Sequence, residues 1–232
     1  LSGVVIEVGL IAMLRALSVL PGFSLSWGIL FMAFGALNML YGNLLALRQT
    51  VVKRMLAYSS LSHIGYILLG LGIALYSGME LGAQGAFFHL FNHMLMKGLA
   101  FLSVGALIYG LFLQNDSHAS LKITDLAGTA QKYPMVALAL SIAVLGLGGL
   151  PPLAGFMSKW QIFVAGFQTQ NTWIIALMIF MALNSVLSLA YYAPLVNMMY
   201  RKSPSAQVLA GKRLSLAIAL PLVIMMLAVI IL

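Results

Sequence analysis

Apolar runs recur along this sequence at lengths that leave few folds open. They cover roughly 1–20, 25–47, 53–76, 84–113, 134–167, 172–199 and 212–232. A helix needs about 20 predominantly apolar residues to cross the hydrocarbon core of a bilayer. Inside lipid every backbone N–H and C=O must be satisfied within the chain, so helices are the expected element. Composition agrees: 62% of the residues are hydrophobic, only 7% are charged, and the mean hydropathy is +1.06. A soluble domain carries about a quarter charged residues. The expected fold is therefore all-α: a polytopic membrane helix bundle of about seven transmembrane helices. The absence of cysteine excludes disulfides, thiolate metal sites and iron–sulfur ligation in this chain.

The fifth run breaks in the middle, in LGLGGLPPLAGFMSKWQIF. Pro151 and Pro152 each remove a backbone donor, and Gly146, Gly148, Gly149 and Gly155 loosen what surrounds them. The run is too long for one straight crossing, so a discontinuous helix is expected near Gly146 to Pro152. Such helices are tolerated at membrane depth where they are buried in protein or line a polar cavity, and in transporters they mark ion or substrate sites. Pro21-Gly22 is expected to separate the first two spans, and Gly78 and Gly82 to bracket the turn before the fourth. Residues 114–132 form the one long polar connection, with a short amphipathic turn around LKITDLAG. The first span has only about 14 residues before Arg15, so the sequence is expected to start inside a helix, as part of a longer subunit or a split product.

The formal net charge of +8 is distributed by topology. With alternating sides, loops two, four and six carry Arg48, Lys53, Arg54, Lys122, Lys132, Arg201, Lys202, Lys212 and Arg213, against Arg15 and Glu80 opposite. The positive-inside rule puts the basic loops on the cytoplasmic, matrix or stromal side. That accounts for the basic excess without a nucleic-acid partner. Lys53-Arg54 read as interfacial anchors, as do Tyr191-Tyr192 and Tyr200 with Arg201.

Two lysines remain inside spans. Lys97 follows His89 and His93 at spacings of four in AFFHLFNHMLMKGLAFLSVGAL. On a helix the three share about one face along roughly 12 Å of axis. A lysine near the middle of a span costs about 2.5–3.5 kcal/mol on insertion scales and marks an ion or proton path by default. Histidine suits relay chemistry because it titrates near neutral pH. The alternatives are a lysine that snorkels to the interface, buried structural histidines, or a two-histidine metal site with no carboxylate or cysteine nearby in sequence. Lys159 lies just past the Pro-Pro break, where it could instead be a cation at a helix end. His63 sits in RMLAYSSLSHIGYILLG beside Ser59, Ser60 and Ser62, which could equally pack helices together. Glu7 stands in an apolar stretch and is expected to pair with a cation on a neighbouring helix. No phosphate loop, Ser–His–Asp arrangement or redox-cofactor motif is present, and GLGGLPP lacks the lysine–hydroxyl ending of a nucleotide loop.

Three segments, GNLLALRQTVVKRMLAYSSLSHIGYILLGLG, HLFNHMLMKGLAFLSVGAL and GLPPLAGFMSKWQIF, resemble the antiporter-like membrane subunits of complex I. The superfamily also holds Mrp-type cation/proton antiporters and the ion-pumping subunits of membrane-bound hydrogenases. The resemblance implies fourteen helices in a whole subunit, with two inverted five-helix repeats. This sequence would supply helices eight to fourteen: a remnant of the upstream repeat at 1–23, a five-helix unit at 24–200, and a linker with a last helix at 201–232. By resemblance, Lys97, His89 and His93 match the eleventh-helix lysine and its histidines, Lys159 matches the ion-handling residue of the broken twelfth helix, and His63 lies near the central water chain. Glu7 aligns where the family carries a bridging lysine or histidine, which inverts the sign of that charge. The glutamate–lysine pair of the first repeat would lie upstream.

The leading expectation is a proton-translocating, antiporter-like subunit of a complex-I-type NADH/quinone or related oxidoreductase in an energy-transducing membrane. It would use a Lys/His/water half-channel and bind no cofactor itself. Iron–sulfur, flavin and quinone would sit in partner subunits, alongside other membrane subunits. The alternatives are a subunit of an Mrp-type sodium/proton antiporter, and a truncated structural subunit that conducts nothing.

Overall fold

A computed structural model describes residues 3–19, 25–112 and 119–231. Ten α-helices are described: α1 (Val5–Ser18), α2 (Leu25–Leu47), α3 (Val52–Ser77), α4 (Glu80–Leu111), α5 (Thr129–Lys132), α6 (Pro134–Gly148), α7 (Ala154–Gln168), α8 (Thr172–Met199), α9 (Ala206–Ala210) and α10 (Leu216–Ile231). Among the described residues the one β-type pairing is an isolated bridge between Val51 and Lys122. Four helices are long and apolar enough to cross a membrane by length and composition: α2, α3, α4 and α8. The expected break in the fifth run divides it into α6 and α7. Pro21-Gly22 lies outside the described residues.

Close packing of α2 on α3 rests on glycine at seven-residue intervals. Gly28, Gly35 and Gly42 of α2 abut Gly72, Gly65 and Ser62 of α3, and a Cβ at any of these glycines would strike the facing backbone. Small residues let membrane helices approach closely where no hydrophobic force drives them together. Gly78 ends α3 at φ 71°, a left-handed conformation that glycine adopts without strain, so α4 doubles straight back. Gly82 is not part of that turn. It sits inside α4, packed on Gly70 of α3.

α4 is the central helix. It packs on α3, α6, α7 and α10, and α10 reaches it through Met225 against Gly98. The outward faces of α2, α8 and α10 carry exposed Phe34, Leu183, Val186 and Leu220, as expected where the surroundings are lipid or another membrane subunit.

The three basic connections lie together at one end of the bundle. Val52 N–H donates to Leu121 (3.0 Å) and Ile123 N–H to Thr50 (2.9 Å). Gly128 N–H donates to Met198, Ser205 N–H to Ala127, and Tyr133 Oη to the Lys212 carbonyl (2.8 Å). The LKITDLAG stretch forms a short 3-10 turn over Ile123–Leu126 within this cap.

Candidate functional site

Burial gathers ionisable side chains from four helices, α1, α3, α4 and α7, in the interior. His89, His93 and Lys97 of α4 are fully buried, and His63 of α3, Glu7 of α1 and Lys159 of α7 join them with at most 6% exposure. Burying a polar group costs free energy unless a partner compensates, so where each one bonds is informative.

Histidine forms the middle of the row. His63 Nδ1 and His89 Nε2 are 3.0 Å apart, and His89 Nδ1 is 2.8 Å from Ser158 Oγ on α7. The Ser158 hydroxyl in turn donates to the Gly155 carbonyl at 3.3 Å. His93 stacks on His63 with ring centroids 4.8 Å apart, and its Nδ1 lies 2.6 Å from Glu7 Oε1. Glu7 thus meets a histidine of another helix, a partner that carries charge only when protonated. His63 and His89 bond to each other and, through His89, to a hydroxyl, while His93 stacks on both and bonds to a carboxylate. Among the described residues they do not group with further ligands around a metal position.

A lysine stands at each end. Lys97 Nζ donates to the Leu56 carbonyl of α3 at 2.6 Å and makes a short hydrogen bond to Ser59 Oγ. Lys159 Nζ donates to the Leu147 carbonyl at 2.9 Å and to Ser185 Oγ of α8 at 3.0 Å. The helix break supplies that acceptor: α6 stops at Gly148, Gly149 turns with φ 81°, and the last carbonyls of α6 are released from intrahelical bonding. Lys159 also lies 4.6 Å over the ring of Tyr66, which makes edge contacts with His63 and His89. Among the described residues neither lysine has a carboxylate within ion-pair distance. A buried charge without such a partner is costly, so its protonation responds strongly to any charge brought nearby.

Each lysine also walls a cleft. One of about 500 Å³, beside Gly3, Val4 and Phe101, has Lys97 and Lys53 in its lining. The other, about 220 Å³, is lined by Lys159, Ser185, Gly149 and Trp160. The six residues Glu7, His63, His89, His93, Lys97 and Lys159 are therefore all buried, and the two lysines line separate clefts.

The sequence reading missed part of the site. Tyr191 and Tyr192 are not interfacial anchors: they are 5% and 0% exposed, and Tyr191 Oη donates to Asn43 Oδ1 of α2 at 2.9 Å. Asn43 Nδ2 donates to the Asn184 carbonyl at 2.9 Å. Tyr200 and Arg201 are exposed, as anchors would be. Ser158, Ser185 and Tyr66 also escaped notice, because single hydroxyls in apolar runs carry no spacing signal until a partner helix is known.

Most of the chain is similar to known proteins. The family described as "NADH:quinone oxidoreductase/Mrp antiporter, TM" matches residues 1–188. NAD(P)H-quinone oxidoreductase subunit 2 of Gloeobacter violaceus is 39% identical over 193 residues, covering 83% of this chain and 35% of the relative. F(420)H(2) dehydrogenase subunit N of Methanosarcina mazei is 33% identical over 206 residues, covering 87% and 40%. The chain thus spans between about a third and two fifths of the length of these curated relatives. Among solved structures, a chain of the archaeal membrane-bound sulfane sulfur reductase superposes with a TM-score of 0.81 at 31% identity, over 99% of this chain and 44% of that one. A chain of the Mrp complex from Dietzia sp. DQ12-45-1b gives 0.83 at 21% identity, over 98% and 48%, a likeness of fold. A chain of respiratory complex I from Thermus thermophilus gives 0.68 at 29%, over 86% and 42%.

Proposed function

Since the chain belongs to the NADH:quinone oxidoreductase/Mrp antiporter transmembrane family, we propose that it forms a proton-conducting half-channel in the membrane arm of a complex-I-type oxidoreductase. The observation that carries this reading is the buried ionisable group, with its two lysines in the walls of separate clefts. Electron transfer, with its iron–sulfur, flavin and quinone groups, belongs in this reading to partner subunits.

The bonding of the row suits proton hand-off. In one arrangement His63 Nδ1–H donates to His89 Nε2, and His89 Nδ1–H donates to Ser158 Oγ. In the other, Ser158 O–H donates to His89 Nδ1, and His89 Nε2–H donates to His63 Nδ1. A proton added at one end and lost at the other converts the first into the second, and the heavy atoms stay where they are. Charge on Lys159 and a proton on His89 repel each other, so arrival at one favours departure from the other. At the far end Glu7 can hold a proton on His93 beside Lys97, one helical turn along. In this reading Glu7 stands where the resemblance puts a bridging cation, so the link between half-channels has the opposite sign, and either the usual coupling scheme or the partner charge differs here.

The test uses the intact complex in proteoliposomes. Lys97→Ala is expected to slow proton uptake at least about a hundredfold, the scale of losing a positioned acid–base group, with the complex still assembled. An unchanged proton-to-electron ratio would remove Lys97 from the path. Sodium-dependent flux without an electron donor would instead favour the Mrp-type reading, and unchanged flux in a Lys97/Lys159 double variant would favour a structural subunit.

A further inference from the structure

The histidines are not the only polar groups between the two lysines. On α3, Ser59, Ser62 and Tyr66 follow one another at i, i+3 and i+7; on α8, Ser185, Ser188 and Tyr192 do the same. That spacing puts each set on one helix face along about 10 Å of axis. The copies meet antiparallel. Tyr66 lies beside Ser185, and Tyr192 beside Ser59. Every one of these side chains except that of Ser185 is at most 2% exposed.

The ends of this seam are the two lysine cradles, and they are built alike. Ser185 Oγ accepts from Lys159 and donates to the Gly148 carbonyl at 3.2 Å. Ser59 Oγ accepts from Lys97 and donates to the Leu56 carbonyl at 2.8 Å. Between them Tyr66 also neighbours Ser62 and Asn43, and Tyr191 bonds Asn43 and packs on Tyr192 with ring centroids 4.4 Å apart. Six buried side-chain polar atoms have no hydrogen-bond partner among the described residues, and three of them belong to this seam: Ser62 Oγ, Tyr66 Oη and Tyr192 Oη. Buried polar groups are as a rule bonded, to protein or to ordered water. Tyr66 Oη faces Ser62 and Ser185, and Tyr192 Oη faces Ser59, without closing a hydrogen bond of good geometry, so a small rotation or a bridging water completes each contact.

We infer that the α3–α8 seam is a second proton route from Lys159 to Lys97, running through Ser185, Tyr66, Ser62, Tyr192 and Ser59 with bridging water, in parallel with the histidine row. It rests on the half-channel reading above. One transfer leaves the hydroxyls unchanged in number. Lys159 goes from ammonium to amine, each oxygen along the route gains one proton and gives up its own, and Lys97 goes from amine to ammonium. Asn43 relays nothing and acts as a positioning residue, holding Tyr191 against Tyr192.

Parallel routes and segments in series behave differently when cut. Proton uptake by the reconstituted whole complex is measured for four variants: His63→Asn/His89→Asn, Tyr66→Phe/Tyr192→Phe, the combination of all four, and Lys97→Ala. Phenylalanine keeps both rings and removes only the hydroxyls, so packing is retained. Parallel conduction predicts partial losses of about two- to fivefold for each double variant, and for the combination a further loss of at least about tenfold, down to the level of Lys97→Ala, a strongly non-additive cycle. The inference is overturned if the histidine pair alone reaches that level, if the tyrosine pair alone does, or if the tyrosine pair changes nothing in either background. Failure of the half-channel reading is distinct, because Lys97→Ala would then conduct normally.

Discussion

Lys97 and Lys159 solve the same problem with different backbone. Each buries an ammonium-bearing chain in a bundle and holds it with one serine and one main-chain carbonyl. Lys159 uses a carbonyl that the broken helix releases, so its acceptor has no competing intrahelical donor. Lys97 uses Leu56 in the continuous helix α3, and the same carbonyl also takes the hydroxyls of Ser59 and Ser60. A helix break makes acceptors by geometry; an unbroken helix has to share one. The Lys159 cradle should therefore depend on how α6 and α7 are set, and the Lys97 cradle on its side-chain partners.

The largest expected effect leaves the comparison symmetric. Lys159→Ala should match Lys97→Ala, with at least about a hundredfold loss of proton uptake, and a much milder Lys159 variant would break the equivalence of the two ends. Gly155→Ala should separate them. Its Cβ would meet the Gly146 carbonyl where α7 passes the end of α6. We expect a destabilisation of about 1–3 kcal/mol, the scale of overpacking, read as a lower melting temperature of the solubilised complex, with conduction lost at the Lys159 end.

The serines should show the reverse sensitivity. Ser59→Ala removes the one side chain among the described residues that hydrogen-bonds Lys97, and a loss of about 1–2 kcal/mol of bonding there corresponds to roughly five- to thirtyfold. Ser185→Ala leaves Lys159 its released carbonyl and an adjoining cleft, so about a twofold effect on initial uptake rates is expected. Equal effects would sink the distinction between the cradles. The smallest change is expected from Glu7→Gln. The amide oxygen still accepts from His93 Nδ1–H but without charge, and a decrease of about two- to threefold in flux follows from the weaker neutral bond. A rise in flux on that substitution would mean that Glu7 traps the proton.

Much of this architecture was legible in the sequence. The apolar runs gave the spans, because a run of about 20 apolar residues crosses lipid as a helix with its backbone satisfied internally. The i, i+4, i+8 row of His89, His93 and Lys97 was readable as one face, since helical periodicity is local. So was the break, because Pro151 and Pro152 sit among glycines. The acidic partner of His93 was half visible: Glu7 stood out in an apolar run, but its distance of 86 residues from His93 hid the pairing.

Helix-to-helix register alone decided the rest. Tyr191 and Tyr192 looked like interfacial anchors because an aromatic pair near a span's end usually is one. The packing of α2 and α3 against α8 turned them inward, onto Asn43 and toward Ser59. The matched serine–tyrosine spacing on α3 and α8 was present in the sequence, yet it meant nothing until the two helices lay antiparallel with the copies in register. Sequence by itself determined that this chain is a bundle of membrane helices with ionisable groups inside, because burial in lipid makes both length and charge local properties. Only the tertiary structure decided which hydroxyl faces which lysine, because that depends on a shift of a single residue between helices far apart in the chain.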